Sequence, residues 1–176
     1  EKFDRVCRRL RLEPGDRLLE IGTGWGTFAM HAAEHYGCEV TTTTISRRQA
    51  ELARERIAEA GLSDRVAVVE RDFAELSGSY NKLASIEMIE TVGWRRFDEF
   101  FATCDRLLEP DGLMCHQIIT IDDSAYDAEK LGRSFINTLI FEGGSLPSRG
   151  YVDGAIGRLT DMRPVGFEDI TTSYPE

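Results

Sequence analysis

The chain has 176 residues, 41% of them hydrophobic, which fits one globular domain with a sizeable core. Its formal net charge of -10 argues against binding to nucleic-acid phosphates and disfavours broad adhesion to anionic lipid. No apolar run approaches the ~18 residues of a membrane span, and the chain shows no signal peptide. We therefore expect a cytoplasmic enzyme domain, cut from a longer chain because it starts and stops abruptly at Glu1 and Glu176.

Strands and helices alternate along the chain, which is the pattern of a parallel sheet covered by helices on both faces. A leading helix ends near residue 12, before Pro14 and Gly15. Ser46 is expected to N-cap a later helix, and Gly61 to end it. The predicted strands are 17–21, 39–45, 66–70, 82–88 and 113–120. The predicted helices after the first are 26–36, 47–60 and 94–108.

Four cysteines are scattered along the chain, with neither a CxxC pair nor histidines spaced for zinc. They are predicted to be small, buried and reduced: Cys7, Cys38, Cys104 and Cys115. The sequence therefore predicts no metal site.

The alternation breaks after the fifth strand. Residues 121–150 contain an acidic loop, a predicted helix over 125–141, and the segment Glu-Gly-Gly-Ser-Leu-Pro-Ser-Arg-Gly. An insertion of this length between sheet elements usually covers a site or contacts substrate. A last helix is predicted near 151–162 and a strand near 168–173. No linker divides the chain, so we expect a single domain over 1–176.

The most informative stretch joins the first strand to the next helix. Residues 18–21 form a short apolar strand that contains Glu20, and glycines then occupy alternate positions: Gly22, Gly24 and Gly26. Glycines at this spacing let the backbone turn sharply against a ligand, and the helix start offers unpaired N–H groups. The pattern predicts a nucleotide site, with a plain tight turn as the alternative. It differs from the dinucleotide fingerprint, whose third glycine falls one residue later.

This Glu-x-Gly-x-Gly-x-Gly stretch resembles the first motif of S-adenosylmethionine-dependent methyltransferases. Further stretches resemble the cyclopropane-fatty-acyl-phospholipid synthase family, which includes the mycolic acid cyclopropane synthases: 41–49, 85–93, 107–114 and 140–148. They occur in the family's order and cover nearly the whole chain, and 85–93 together with 140–148 is the specific combination. The resemblance implies an α/β, Rossmann-like class I methyltransferase fold, truncated at both ends.

The resemblance also implies where S-adenosylmethionine binds. The glycine loop is expected to wrap its methionine part, with Glu20 behind the loop residues Gly22, Thr23, Gly24, Trp25 and Gly26. No acid ends the second strand to hold the ribose, so the resemblance assigns the contacts there to Thr44, Ile45, Ser46 and Gln49. The alternative for Ser46 is that it only caps its helix, and both roles are compatible.

The adenine is expected just beyond the third strand. Asp72 would accept a hydrogen bond from the adenine amine while Phe73 packs on the ring. The alternative for Asp72 is a solvated loop acid, because aspartate is common in turns.

The resemblance implies that a bound bicarbonate ion serves as the base of the reaction. It assigns the binding of this ion to Glu90, the backbone of Ile86, Gln117 and Tyr174. Gln117 stands where the family usually has histidine. Plant-type members of the family likewise have glutamine in this segment, and its amide could still donate to an anion. His116 precedes it and is expected on the opposite strand face, packed rather than catalytic. The alternative for Glu90 is an acid that stabilises a helix start.

The resemblance therefore implies transfer of a methylene, or a methyl, group from S-adenosylmethionine to the cis double bond of an unsaturated fatty acyl chain, with a phospholipid as the expected carrier. We expect transient contact with the inner membrane surface and no nucleic-acid partner. Two alternatives stay open: a small-molecule N-methyltransferase of related sequence, and a cofactor-binding module without catalysis. Substitution of Gly24 or Glu90 would favour the second alternative, and both residues are intact.

Overall fold

The computed structural model describes residues 1–132, 138 and 143–170. Within these residues five parallel strands form one sheet: β1 (Arg17–Ile21), β2 (Glu39–Thr44), β3 (Val66–Glu70), β4 (Tyr80–Ile86) and β5 (Leu108–Gln117). The same residues contain the helices α1 (Lys2–Leu10), α2 (Thr27–Tyr36), α3 (Arg47–Glu59), α4 (Phe97–Leu107), α5 (Tyr126–Leu131) and α6 (Arg149–Leu159).

The strand order is β3-β2-β1-β4-β5, so the first strand lies in the middle of the sheet. The chain builds outward from β1 to β3 and then returns to the other side of β1 to add β4 and β5. In open parallel sheets such a reversal leaves a crevice at the carboxyl ends of the strands, where ligands bind. The crevice here lies between the ends of β1 and β4.

Hydrophobic cores cover both faces of the sheet. Leu18 of β1 belongs to one core, which includes Phe28 of α2 and Ile57 of α3. The next residue, Leu19, belongs to the other, which contains the aromatic residues of α4. Neighbouring strand residues point to opposite faces, so burial of both shows that helices cover the sheet on both sides.

All five predicted strands are present, and the ends of β2, β4 and β5 differ from the predicted ones. β4 spans Tyr80–Ile86 rather than 82–88, because Glu87 has a left-handed backbone with φ 51°, which a strand cannot include. β5 begins at Leu108 rather than 113, because Pro110-Asp111-Gly112 forms an irregularity inside the strand instead of a turn before it. The predicted helix 94–108 begins as a short 3-10 turn, Trp94–Arg96, before α4.

The elements after β5 agree less closely with prediction. The helix predicted over 125–141 is observed as α5, which ends at Leu131 because Gly132 is extended. Residues 133–137 and 139–141 of that prediction lie outside the described residues. The predicted last helix is confirmed as α6. Residues 168–170 of the predicted final strand are not in a strand, and 171–173 lie outside the described residues.

Candidate active site

The glycine loop after β1 forms the centre of the crevice. Gly22, Gly24 and Gly26 have φ values of 104°, 49° and 78°, a region that residues with a side chain rarely adopt. A Cβ on Gly22 would lie 2.7 Å from Met88 Cγ, whereas a Cβ on Gly24 would have no atom within 4 Å. The loop is therefore packed against the protein at Gly22 and open to the crevice at Gly24.

A buried polar network supports the loop from behind. Glu20 is 2% exposed, and Thr42 Oγ1 lies 2.6 Å from Glu20 Oε2 and 2.8 Å from Thr23 Oγ1. Burial raises the pKa of Glu20 to about 8, and the hydrogen bond with Thr42 only partly opposes this shift. Glu20 thus lies behind the loop, as expected, and connects β1 to β2.

The polar residues after β2 bond mainly to one another. Thr44 Oγ1 donates to Gln49 Oε1 at 2.7 Å and accepts from the Ser46 N–H at 3.1 Å. Ser46 Oγ accepts from the Gln49 N–H at 3.4 Å, which confirms Ser46 as the N-cap of α3. Ile45 is 76% exposed beside them, and Trp25 of the glycine loop is 53% exposed. This edge of the sheet therefore exposes two large apolar side chains, Trp25 and Ile45. They lie beside a polar cluster whose groups are hydrogen-bonded to one another.

The structure gives Asp72 and Phe73 a different arrangement from the expected adenine contacts. Phe73 is buried and packs edge-on against Phe100, with ring centroids 5.6 Å apart. Arg96 lies over the Phe73 ring at 4.4 Å and holds the Asp72 carboxylate through two hydrogen bonds of 2.9 and 2.7 Å. The Arg96 guanidinium lowers the pKa of Asp72. Phe73 is therefore a core residue and Asp72 is an ion-paired rather than a solvated acid, and their contacts with adenine stay a prediction.

Glu90 joins three segments at the carboxyl edge. It is fully buried, and its Oε1 accepts from the Ile119 N–H at 2.6 Å, just beyond β5. Its backbone carbonyl accepts from the Ser145 N–H at 2.9 Å. A Cβ on Gly93 would lie 2.6 Å from the carbonyl oxygen of Gly143, so residues 143–148 pack tightly here. This part of the predicted insertion does cover the Glu90 region.

The Glu90 carboxyl lies in a fully buried environment. Burial is the main cause of its raised pKa, and the nearby charge of Glu87 raises it further. Its second oxygen, Oε2, and the Ser145 hydroxyl have no hydrogen-bond partner among the described residues. Glu90 is thus held in place by backbone N–H groups and is shielded from solvent.

Gln117 and His116 occupy opposite faces of β5, as predicted. The His116 ring packs against Phe100 and Phe101 of α4, with ring centroids 5.2 and 6.0 Å apart. Burial lowers the pKa of His116 to about 3, so this ring is neutral. Gln117 Nε2 donates to Glu87 Oε1 at 2.6 Å. The amide expected to bind an anion is therefore bonded to a carboxylate.

Glu87 is the site residue that the sequence reasoning missed. It follows Ile86, the last residue of β4, and its carboxylate also pairs with Lys2 Nζ at 2.8 Å. The signal that could have identified it is an acid directly after a strand at the crevice edge. Tyr174 lies outside the described residues, so its role stays a prediction.

A parallel sheet with a glycine loop after its central strand is the class I methyltransferase type of α/β domain, and the predicted fold class is confirmed. The mycolic acid cyclopropane synthase CmaA1, crystallised with SAH and CTAB, superposes with a TM-score of 0.79 at 31% identity, over 89% of this chain and 58% of that one. The family model of mycolic acid cyclopropane synthetase matches residues 1–174. The chain belongs to this family.

Two curated relatives give the same result. Tuberculostearic acid methyltransferase UfaA1 of Mycobacterium tuberculosis is 35% identical over 99% of this chain and 41% of its own length. Cyclopropane-fatty-acyl-phospholipid synthase of Escherichia coli is 35% identical over 84% of this chain and 36% of its own length. The chain thus spans less than half of either relative.

The described residues also bear on metal binding and on membrane spanning. They contain no group of acidic, histidine or cysteine side chains arranged to hold a metal ion. No helix among them is both long and apolar enough to cross a bilayer. Cys7, Cys38 and Cys104 are buried free thiols and Cys115 is half-buried.

Proposed function

We propose that the chain is the catalytic domain of an S-adenosylmethionine-dependent lipid methyltransferase. It would transfer a methylene, or a methyl, group to the cis double bond of an unsaturated fatty acyl chain, with a phospholipid as the carrier. Family membership supports this proposal, and the observation that carries it is the open face of Gly24 at the carboxyl end of β1. Such a loop allows close approach of the backbone to the cofactor.

The reaction requires an apolar slot and a protected site. The electron pair of the double bond attacks the sulfonium methyl group, a carbocation forms on the acyl chain, and a proton must then leave. Loose water would trap the cation, so water must be excluded. Ile119, whose backbone N–H donates to Glu90, is 42% exposed and offers apolar surface for the chain, and Trp25 and Ile45 do so beside the glycine loop.

The bicarbonate ion that the resemblance implies fits part of the described site. The buried Glu90 Oε2 and the Ser145 hydroxyl have no hydrogen-bond partner among the described residues. Burial favours the neutral form of Glu90, and a neutral carboxyl can donate to an anion. Gln117, the other expected donor, gives its Nε2 to Glu87. Glu90 would therefore hold the ion, which would supply the base, and we assign no step of the reaction to it.

The acyl lipid assignment carries two consequences. A phospholipid chain is available only at a membrane, so we propose transient contact of the full-length protein with the inner membrane surface, from the cytoplasmic side. The competing candidates are a small-molecule N-methyltransferase and a domain without catalysis. The intact glycine loop and buried Glu90 favour a functional enzyme over the latter.

The test is lipid mass spectrometry in a host that expresses the full-length protein. The proposal expects acyl chains that gain one CH2 and lose their original double bond. The product is then a ring or a methylene branch. A saturated branch would require an additional reductase. Unchanged acyl chains together with methylated amines would favour the N-methyltransferase.

A further inference from the structure

Two buried polar groups at the carboxyl edge of the sheet lack a hydrogen-bond partner within the described part of the chain. They are Oε2 of Glu90 and Oγ of Ser145, whose residues are 0% and 1% exposed. An unpaired buried hydroxyl or carboxyl costs free energy, and native proteins pair nearly all such groups. Unpaired groups on two adjoining residues therefore indicate a shared ligand.

Backbone hydrogen bonds make Ser145 a neighbour of Glu90. The Ser145 N–H donates to the Glu90 carbonyl at 2.9 Å. The residues that follow β5 contact both partners of this bond. The Ile119 N–H donates to Glu90 Oε1 at 2.6 Å, and the Ile121 N–H donates to the Pro147 carbonyl at 3.1 Å. Glu90 therefore lies between the end of β5 and the segment 145–147.

Both unpaired groups can donate a hydrogen bond. A serine hydroxyl carries a proton, and burial raises the pKa of Glu90 and so favours its protonated form. Two donors without an acceptor suit an anion, because hydrogen bonds to a charged acceptor are about twice as strong as neutral ones. The nearby Glu87 carboxylate would oppose an anion, but Lys2 Nζ lies 2.8 Å from it and offsets its charge.

We propose that the Ser145 hydroxyl donates a hydrogen bond to the bicarbonate ion that Glu90 holds. This inference rests on the proposed function and adds a binding residue to it. Gln117, the donor expected from the sequence, directs its Nε2 to Glu87, and Ser145 supplies a donor that the resemblance did not assign. Ser145 belongs to the segment that covers the Glu90 region, so binding of the ion also holds this segment in place.

The test measures the melting temperature of the full-length protein, prepared free of CO2, as sodium bicarbonate is added at fixed pH. Sodium chloride at equal ionic strength is the blank. A ligand that binds only the folded state raises the melting temperature as its concentration rises, and the wild type should show this increase. Ser145→Ala should need at least about tenfold more bicarbonate for the same increase, because it lacks one hydrogen bond to a charged acceptor. Without bicarbonate, Ser145→Ala should melt at or above the wild-type temperature, because an unpaired buried hydroxyl has been removed.

Two further variants control for packing. Ser145→Cys keeps the shape of the side chain but has a weaker donor, so its bicarbonate affinity should lie between those of the wild type and Ser145→Ala. Ser85→Ala is the matched control. Ser85 Oγ is also buried without a partner among the described residues, but Ser85 pairs in register with His116 and so faces α4. Ser85→Ala should keep the wild-type affinity for bicarbonate.

Three results would overturn the inference. One is equal bicarbonate affinity in the wild type and Ser145→Ala. Another is an equal loss of affinity in Ser145→Ala and Ser85→Ala, which would reflect general loosening of the core. The third is a wild type that makes lipid product but responds equally to bicarbonate and chloride, as expected if an internal water alone pairs these groups. If bicarbonate binds through Ser145 and no lipid product forms, this inference stands and the proposed function fails.

Discussion

The buried carboxyl of Glu20 leads to a quantitative prediction about stability and pH. Its pKa is about 8 in the folded protein, against an ordinary value of 4.5 for a glutamate side chain. Because the folded-state pKa is raised, the neutral form is favoured in the native structure. The stabilisation is fully present below the unfolded-state value and is lost as the pH rises through the folded-state value. Glu20→Gln removes the titration and retains an oxygen that can accept from Thr42.

The magnitude follows from the two pKa values. Between about pH 5.5 and about pH 7.5, ionisation of Glu20 in the unfolded chain should lower the free energy of unfolding of the wild type by about 2–3 kcal/mol. For a domain of this size such a change corresponds to roughly 5–10 °C in melting temperature. Glu20→Gln should lack this decrease. Other groups, including His116 with its lowered pKa, contribute equally to both proteins and cancel in the difference.

The assay is thermal or urea unfolding of wild type and Glu20→Gln at a series of pH values. Glu55→Gln, an exposed acid on α3, is the matched control and should follow the wild type. The wild-type and Glu20→Gln curves should diverge as the pH rises, with the variant less pH-dependent. Parallel curves across this range would show that Glu20 is not held as a buried neutral acid, and would refute the reasoning.

Further variants test the site directly. Gly24→Val should abolish calorimetric binding of S-adenosylhomocysteine, whereas Gly61→Val, also at a left-handed glycine with open space (φ 68°), should retain it; equal binding would exclude a ligand at the loop. His116→Ala should lower the free energy of unfolding by about 2–3 kcal/mol through lost packing, without impairing turnover. Gln117→Ala should impair turnover with little loss of stability, and Gln117→His should keep some activity. Loss of turnover in a stable His116→Ala, with normal turnover in Gln117→Ala, would show that the strand register is wrong by one residue. Glu90→Gln should bind cofactor normally but turn over about 10²-fold more slowly, because the segments that Glu90 holds at the crevice would be mispositioned. Normal product formation would remove Glu90 from the site.

Local patterns were sufficient to predict most of the fold. The alternation of strands and helices and the glycine loop depend on neighbours in sequence, and both are observed. The errors arose where tertiary packing overrides local signals. Pro110-Asp111-Gly112 has the composition of a turn, yet pairing with β4 keeps it within β5.

The site was predictable only in part, for a similar reason. Glu20 and Gly24 could be placed because both lie in one contiguous motif. The Arg96 that covers Phe73 is 24 residues from its partner Asp72, and Lys2 is 85 residues from Glu87. No periodicity encodes such ion pairs, because they form only when the folded chain brings distant elements together. The conformation of Glu87 likewise carries no mark in the sequence, since only its φ reveals the strain.

The most direct test of the central claim follows the transferred carbon itself. The full-length enzyme is incubated with S-adenosylmethionine that carries a fully deuterated methyl group, together with a cis-unsaturated phospholipid, and the acyl chains are analysed by mass spectrometry. Transfer to a double bond followed by proton loss to a base predicts an acyl product that retains two of the three deuterium atoms. An unlabelled acyl chain, or an intact trideuteromethyl group on an amine, would contradict the account.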